Sequence, residues 1–448
     1  MLPSVLQTLS SIWLLLAASV DGASEPNHAG YPGLDFYFPK TTSPQPFNIR
    51  LDKDFVKLVE RKVRDYRPSI SVDDDWTVRG PPGQAVADLA RYWDKKYDWN
   101  TVEKRLNKEL KHFAITLPGN GNYTTSIPLH FVHEKSPDKN AIPLLLLHGW
   151  SSTHYEWVQT VQPLTRGKGK QNFHIVAPDL PGFGFSPAST QPGMGPKEMG
   201  RAFDALMKQL GYTTYGLVST DIGWTIGMWM TEVAKDSISA HFTDFFLVSP
   251  TAEDLARQER GETTEEEDAF IAGSAAFGSR HYGYGIIQTQ KPQQISLPLV
   301  DSPVGLASWL WDLKEGSSAG YQYTYEELIT DTMLNYAQPI TGAIRAYSDL
   351  LQPEFTQYPN TGVQTGVTQW GNLGGPWPEL DKQTLAVSTR TGETREIGLM
   401  LTCRQPREWV ERGANVVYFN RHASGGHYPA ISETELWVDH VRAFFSGL

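Results

Sequence analysis

One stretch of the chain carries residue types arranged for nucleophilic chemistry: Gly216-Leu217-Val218-Ser219-Thr220-Asp221-Ile222-Gly223-Trp224. An apolar run that reads as a buried strand passes into small residues and then into a predicted helix. That is the shape of a sharp strand-to-helix turn that exposes a nucleophile. A turn centred on Ser219 needs glycine where the chain has Leu217 and Asp221, so serine does not fit. Centred on Asp221, the flanking positions are Ser219 and Gly223, both small. The nucleophile would then be a carboxylate, and the reaction would pass through an ester between protein and substrate. A simple helix cap is the other reading of Asp221, and the turn alone does not choose between them.

Three further segments bear on that choice. The apolar run Leu144–Leu147 ends in His148-Gly149-Trp150, where a backbone N–H at Trp150 could join that of Ile222 in an oxyanion hole. Asp179-Leu180-Pro181-Gly182-Phe183-Gly184-Phe185-Ser186 is a Gly-rich turn after the next strand. Gly425-Gly426-His427 follows a C-terminal strand, the place for a general base, and the order of nucleophile, long insertion and histidine strengthens the catalytic reading.

The elements that must position these residues can be read from periodicity. Strand-like runs at Leu129–Val132, Leu144–Leu147, His174–Ala177 and Gly216–Ser219 are separated by loops and by a helical stretch over Met199–Leu210. Further strands are predicted at Phe245–Val248, Ile397–Met400 and Val416–Phe419. Alternating strands and helices predict an α/β fold with a mostly parallel, doubly wound sheet. The helix-leaning stretch from Thr251 to about Gly366 is too long for a plain connection and predicts an inserted cap. Helical periodicity over Phe55–Val63 and Ala87–Leu110 lies upstream of the sheet. The division is a leader over 1–23, an N-terminal region over 24–128, a first core part over 129–250, a cap over 251–366 and a second core part over 367–448.

The leader holds the apolar run Ile12–Ala18, shorter than the roughly 18–20 residues of a membrane span. Small residues follow, so it reads as a cleaved secretory signal, although no Lys or Arg precedes Lys40 and an uncleaved anchor is the alternative. Cleavage would leave a product without a membrane span, secreted or held in the secretory lumen, where Asn122-Tyr123-Thr124 is a glycosylation sequon. A net charge of −11 argues against nucleic-acid partners. The single cysteine, Cys403, excludes an intramolecular disulfide and a cysteine-based metal site. No metal or other cofactor is required by carboxylate chemistry of this kind, and a homodimer stays open.

Taken together, Tyr92-Trp93, Tyr97-Asp98-Trp99, Glu103–Asn107, His148-Gly149-Trp150, Leu180–Ser186 and the Asp221 turn resemble the microsomal-type epoxide hydrolases. The likeness runs from Phe47 to the C-terminus, with Ser151 where that family usually has proline. It implies an α/β-hydrolase fold with an N-terminal meander and helical cap, acting on a small apolar epoxide. It also implies Asp221 as nucleophile, His427 as general base, and Tyr284 and Tyr347 in the cap as proton donors to the epoxide oxygen.

One position departs from the family. Anchored on Pro406 and Trp409, the acid that should orient the histidine falls on Leu401. Leucine accepts no hydrogen bond, so the expectation is slow or lost ester hydrolysis, or a non-catalytic relative, unless an acid has moved. Glu253, Asp254, Glu393, Glu396 and Glu408 are the nearby acids, none cleanly in register. Haloalkane dehalogenation also uses an aspartate nucleophile and is the third reading. It is disfavoured by Ile222, where such enzymes usually place a halide-binding Trp, although Trp150 could still bind a halide.

Overall fold

The computed structural model describes residues 38–71, 76–373 and 405–448. The leader, Leu401, Glu393, Glu396 and the strand expected at 397–400 lie outside the described residues.

Nine strands form one sheet: β1 (Gln45–Pro46), β2 (His112–Leu117), β3 (Ile127–Glu134), β4 (Ile142–Leu147), β5 (Phe173–Pro178), β6 (Tyr215–Ser219), β7 (Ile238–Thr243), β8 (Gln364–Gly371) and β9 (Asn415–Gly425). Their order is β1-β2-β3-β5-β4-β6-β7-β8-β9. The pairs from β1 to β5 along this order are antiparallel, and those from β5 to β9 are parallel. Parallel strands are covered on both faces, which is why Leu144–Leu147 can be an unbroken apolar run, with every one of those side chains buried. The architecture is the expected α/β one.

Two strands escape a reading based on apolar runs. The strand expected at Phe245–Val248 is a loop, and the true strand is β7, just before it. β7 alternates Ile238, Ala240 and Phe242 with Ser239, His241 and Thr243, and the polar members find partners: Ser219 Oγ meets His241 Nε2 at 2.6 Å, and Thr243 Oγ1 donates to Ser219 O. β8, Gln-Thr-Gly-Val-Thr-Gln-Trp-Gly, is polar and glycine-rich yet buried from Thr365 onward. The helical segment expected over Ala87–Leu110 is two helices, Gly83–Lys95 and Trp99–Glu109, with Asp98 capping the second through Asn100 N.

Between β7 and β8 the chain leaves the sheet for a series of helices from Ala252 to Leu350. The N-terminal region grips this cap. Trp76 packs edge-on against Trp311 at 4.9 Å between centroids, Tyr92 meets Tyr325 at 5.6 Å, and Phe55 stacks on Tyr336 at 6.0 Å. Lys62–Asp301 and Arg105–Glu326 are ion pairs across the same seam. Exposed pairs contribute little, so the aromatic contacts carry the clamp. Trp311 is 6% exposed and lies in the main core cluster. Trp311→Ala is therefore expected to cost about 3–5 kcal/mol through the lost burial and the cavity left behind, read as a shift in the denaturant midpoint.

Candidate active site

Four segments deliver side chains or backbone groups to one end of the sheet, beyond the C-terminal ends of the parallel strands, where α/β folds place their ligands. They follow β4 (His148–Trp150), β6 (Asp221), β7 (Asp244 onward) and β9 (His427).

Asp221 opens the helix Asp221–Val233 with φ at +46°, a left-handed conformation costly for a residue with a Cβ. Such strain at an exposed turn is the signature of a nucleophile elbow. The capping reading fails on geometry: Thr220 holds the N-cap position, and the Asp221 carboxylate meets Trp150 N and His427 instead of the amides of its own helix. Its Oδ1 accepts a hydrogen bond of 2.7 Å from Trp150 N. Two glycines permit this approach. A Cβ on Gly149 would run into the Asp221 side chain, and one on Gly223 would strike the backbone oxygens of Leu147 and His148.

The other oxygen, Asp221 Oδ2, faces His427 Nε2 at 3.4 Å. The histidine sits on a turn made by Gly425 and Gly426, with φ of +115° and +61°. A Cβ on Gly426 would collide with Ser317 O, and that same carbonyl accepts from His427 N at 2.6 Å. The cap helix Pro303–Ser317 thus fixes the histidine loop as well as roofing the site.

The cap also supplies both tyrosines. Tyr284 and Tyr347 meet edge-on with centroids 5.9 Å apart, and Tyr347 packs edge-on against Trp150 at 6.0 Å. Burial pushes both phenols well above their ordinary range, and the negative charge of Asp221 pushes the same way. Both are therefore neutral O–H donors. With Asp221, His427, Phe277 and Leu313 they line a cavity of about 120 Å³. A larger groove of about 740 Å³ adjoins it through Leu247, Tyr282, Leu351 and Tyr358.

The Asp179 turn is a support. Asp179 accepts from His154 N at 2.8 Å and Phe185 N at 2.9 Å, and it meets His130 Nδ1 and His154 Nδ1 at 2.7 and 2.9 Å. Burial alone would raise its pKa, but His154 and His130 hold it well below the usual carboxylate range. His148 joins this turn to the elbow, its Nε2 accepting from Leu180 N at 3.1 Å. His112, His130 and His154 place ring nitrogens within 4.8 Å of one another. Two of these, His112 Nδ1 and His130 Nε2, already meet at 3.0 Å. The group does not line the cavity.

The acids named from the sequence are engaged elsewhere. Asp254 caps the first cap helix with Thr251 and pairs with Arg412, Glu253 pairs with Arg260, and Glu408 is exposed. A buried acid that no apolar run marks in the sequence is Asp244, which follows β7 at this end of the sheet. Its signal was the position itself, one residue past a strand disguised by alternation.

Comparisons with known proteins agree with this fold. Residues 44–157 match the family described as the epoxide hydrolase N terminus, and residues 142–260 match the alpha/beta hydrolase fold. Epoxide hydrolase 1 of Sus scrofa is 26% identical over 436 residues, covering 90% of this chain and 89% of the relative. Juvenile hormone epoxide hydrolase of Bombyx mori is 29% identical over 355 residues, covering 73% and 75%. The structure of Aspergillus niger epoxide hydrolase superposes with a TM-score of 0.73 at 22% identity, covering 94% of this chain and 99% of that one, a likeness of fold.

The elbow's dependence on small neighbours is directly testable. Gly223→Ala should push the helix away from the β4 turn and lengthen the bond from Trp150 N to Asp221. The expected result is a lowered melting temperature together with activity at least about tenfold down, since a change of 1.4 kcal/mol in the barrier already gives that factor. Unchanged melting and turnover would contradict the packing described.

Proposed function

We propose that this chain, an α/β-hydrolase similar to the epoxide hydrolases, opens an apolar epoxide to a diol through an ester on Asp221. The observation that carries the reading is that one small cavity is faced by a carboxylate, an imidazole and two neutral phenols. A carboxylate is a weak nucleophile, so ring opening needs the departing oxygen protonated as its bond to carbon breaks. Tyr284 and Tyr347 are placed for that.

In the first step, the Asp221 oxygen not held by Trp150 bonds to an epoxide carbon. The ring C–O bond breaks, and the freed oxygen takes a phenolic proton. Forming the ester removes the charge that was raising both phenols, so they become stronger donors as the reaction proceeds. In the second step, His427 removes a proton from water as the water oxygen bonds to the ester carbon. The oxyanion falls at the oxygen already beside Trp150 N, a donor that needs no reorganisation. Cleavage of the ester expels the product alkoxide, which takes the proton from His427. The remaining proton passes from the carboxyl back to the phenolate. One hydrogen of the water ends on the diol and the other restores the phenol that gave the diol its second hydrogen, so the protein returns to its starting protonation state.

The apolar walls, Phe245, Leu247, Phe277, Leu313 and Leu351, favour an apolar substrate, and the adjoining groove leaves room for a substituent longer than the inner cavity holds. For location, the leader and the exposed Asn122 support entry into the secretory pathway. An Asn122-linked glycan, seen as a mass decrease on enzymatic deglycosylation and absent in Asn122→Gln, would support it.

Incubation with a reactive aryl epoxide separates the steps. Asp221→Asn should form no adduct and no diol. His427→Ala should accumulate protein heavier by one substrate, with the adduct mapped to Asp221 by peptide mass spectrometry. Tyr347→Phe should slow adduct formation about 10²-fold or more, within the usual contribution of a positioned acid. Wild-type turnover in Asp221→Asn would overturn the reading.

A further inference from the structure

We propose that Asp244 is the acid that orients His427, taking the task that the family gives to the position of Leu401. This rests on the two-step reading above, since only ester hydrolysis calls on His427 as a base.

Sheet register places the residue. β6 and β7 pair in parallel with Ser219 opposite Thr243, so the next step along both strands brings Asp244 beside Thr220, immediately before the nucleophile. The turn is locked there: the Thr243 hydroxyl lies between the carbonyls of Ser219 and Phe245, to either of which it can donate, and Phe245 N donates to Thr243 Oγ1. Phe245 packs edge-on against the His427 ring at 5.7 Å, so the same segment reaches the histidine.

Each partner has an unused valence. Asp244 is 6% exposed, and its Oδ2 accepts from Trp437 Nε1 at 2.6 Å, while Oδ1 makes no well-formed hydrogen bond among the described residues and has beside it the Thr220 hydroxyl, itself without a partner there. A buried carboxylate oxygen left without a partner is costly and calls for an explanation. On the histidine, Nε2 faces Asp221 and no hydrogen bond forms to Nδ1 among the described residues. An imidazole that must take a proton on Nε2 needs its Nδ1–H held by an acceptor, both to fix the tautomer and to stabilise the imidazolium.

The electrostatics run the same way. Burial raises the Asp244 carboxyl to about 6, opposed by Thr220, Trp437 and the His427 charge. The group is therefore ionised at neutral pH and becomes more so as His427 takes a proton from water. Asp244 itself gives up no proton. Glu156, the other buried acid near Asp221, is pushed well above the carboxylate range by burial and by Asp244. It is a neutral acid and unsuited to holding an imidazolium.

Single-turnover kinetics with an aryl epoxide test the assignment, reading adduct formation and adduct loss separately by rapid-quench intact mass. In Asp244→Asn, adduct formation should stay within about threefold of wild type, while adduct loss slows by up to about 10⁴-fold, as when a serine hydrolase loses its orienting acid. Asp244→Glu should recover part of that loss. The pH dependence of adduct loss should also differ between wild type and Asp244→Asn, because the variant lacks the carboxyl that titrates at about 6. Wild-type adduct loss in a folded Asp244→Asn, or a pH profile that this substitution leaves unchanged, would overturn the role of Asp244. If His427→Ala traps no adduct, the two-step reading fails instead, and the role of Asp244 falls with it.

Discussion

The site depends on one close approach, that of the turn after β4 to the turn after β6. Asp221 sits in a left-handed conformation with its carboxylate against Trp150 N. That contact exists only because neither Gly149 nor Gly223 carries a Cβ. Adjacent pairing of β4 and β6, with Leu147 opposite Ser219, sets the spacing of the two turns. In the proposed reaction, the donor that holds the carboxylate in the resting protein also meets the oxyanion of the second step. Strain at one residue is thereby tied to preorganisation at the reacting atom.

Around this contact the structure divides its labour between core and cap. The core supplies Asp221, His427 and the buried Asp244. The cap supplies the phenols, and the end of its helix Pro303–Ser317 holds His427 through Ser317 O. Behind that helix end, Lys314 is buried, paired with Asp331 at 2.8 Å and lying 4.8 Å from the centre of the Tyr428 ring. His427 and the two phenols are therefore all held by the cap helices, and the N-terminal region packs on that cap through Trp76, Tyr92 and Phe55.

The place of Leu401 in this design is changed by Asp244. Judged on the chain alone, a leucine at the family's acid position predicts a stalled second step. In the folded protein a second strand end, that of β7, lies beside the elbow strand β6, and its Phe245 reaches the His427 ring. An acid moved from one strand end to another can serve the same nitrogen.

Local pattern was enough for much of this. The small residues around Asp221, the glycine pair before His427, the apolar run of β4 and the long insertion after β7 each leave a signature of one residue type at a fixed spacing. Asp221 and His427 could be named from these alone, whereas Tyr284 and Tyr347 came from likeness to a family and not from any pattern of their own. What the chain could not disclose was anything fixed by partners distant in sequence. β7 and β8 are polar by composition because their hydroxyls and amides are satisfied by neighbouring strands and loops, as with His241 and Ser219. Asp244 looked like an ordinary loop acid beside Phe245 and Phe246, and only strand register, together with Trp437 from the C-terminal helix, makes it a buried carboxylate beside the nucleophile. Residue types determined which chemistry was available. Tertiary packing decided which of the 50 carboxylates were dehydrated and aimed, since burial and direction are properties of the assembled sheet.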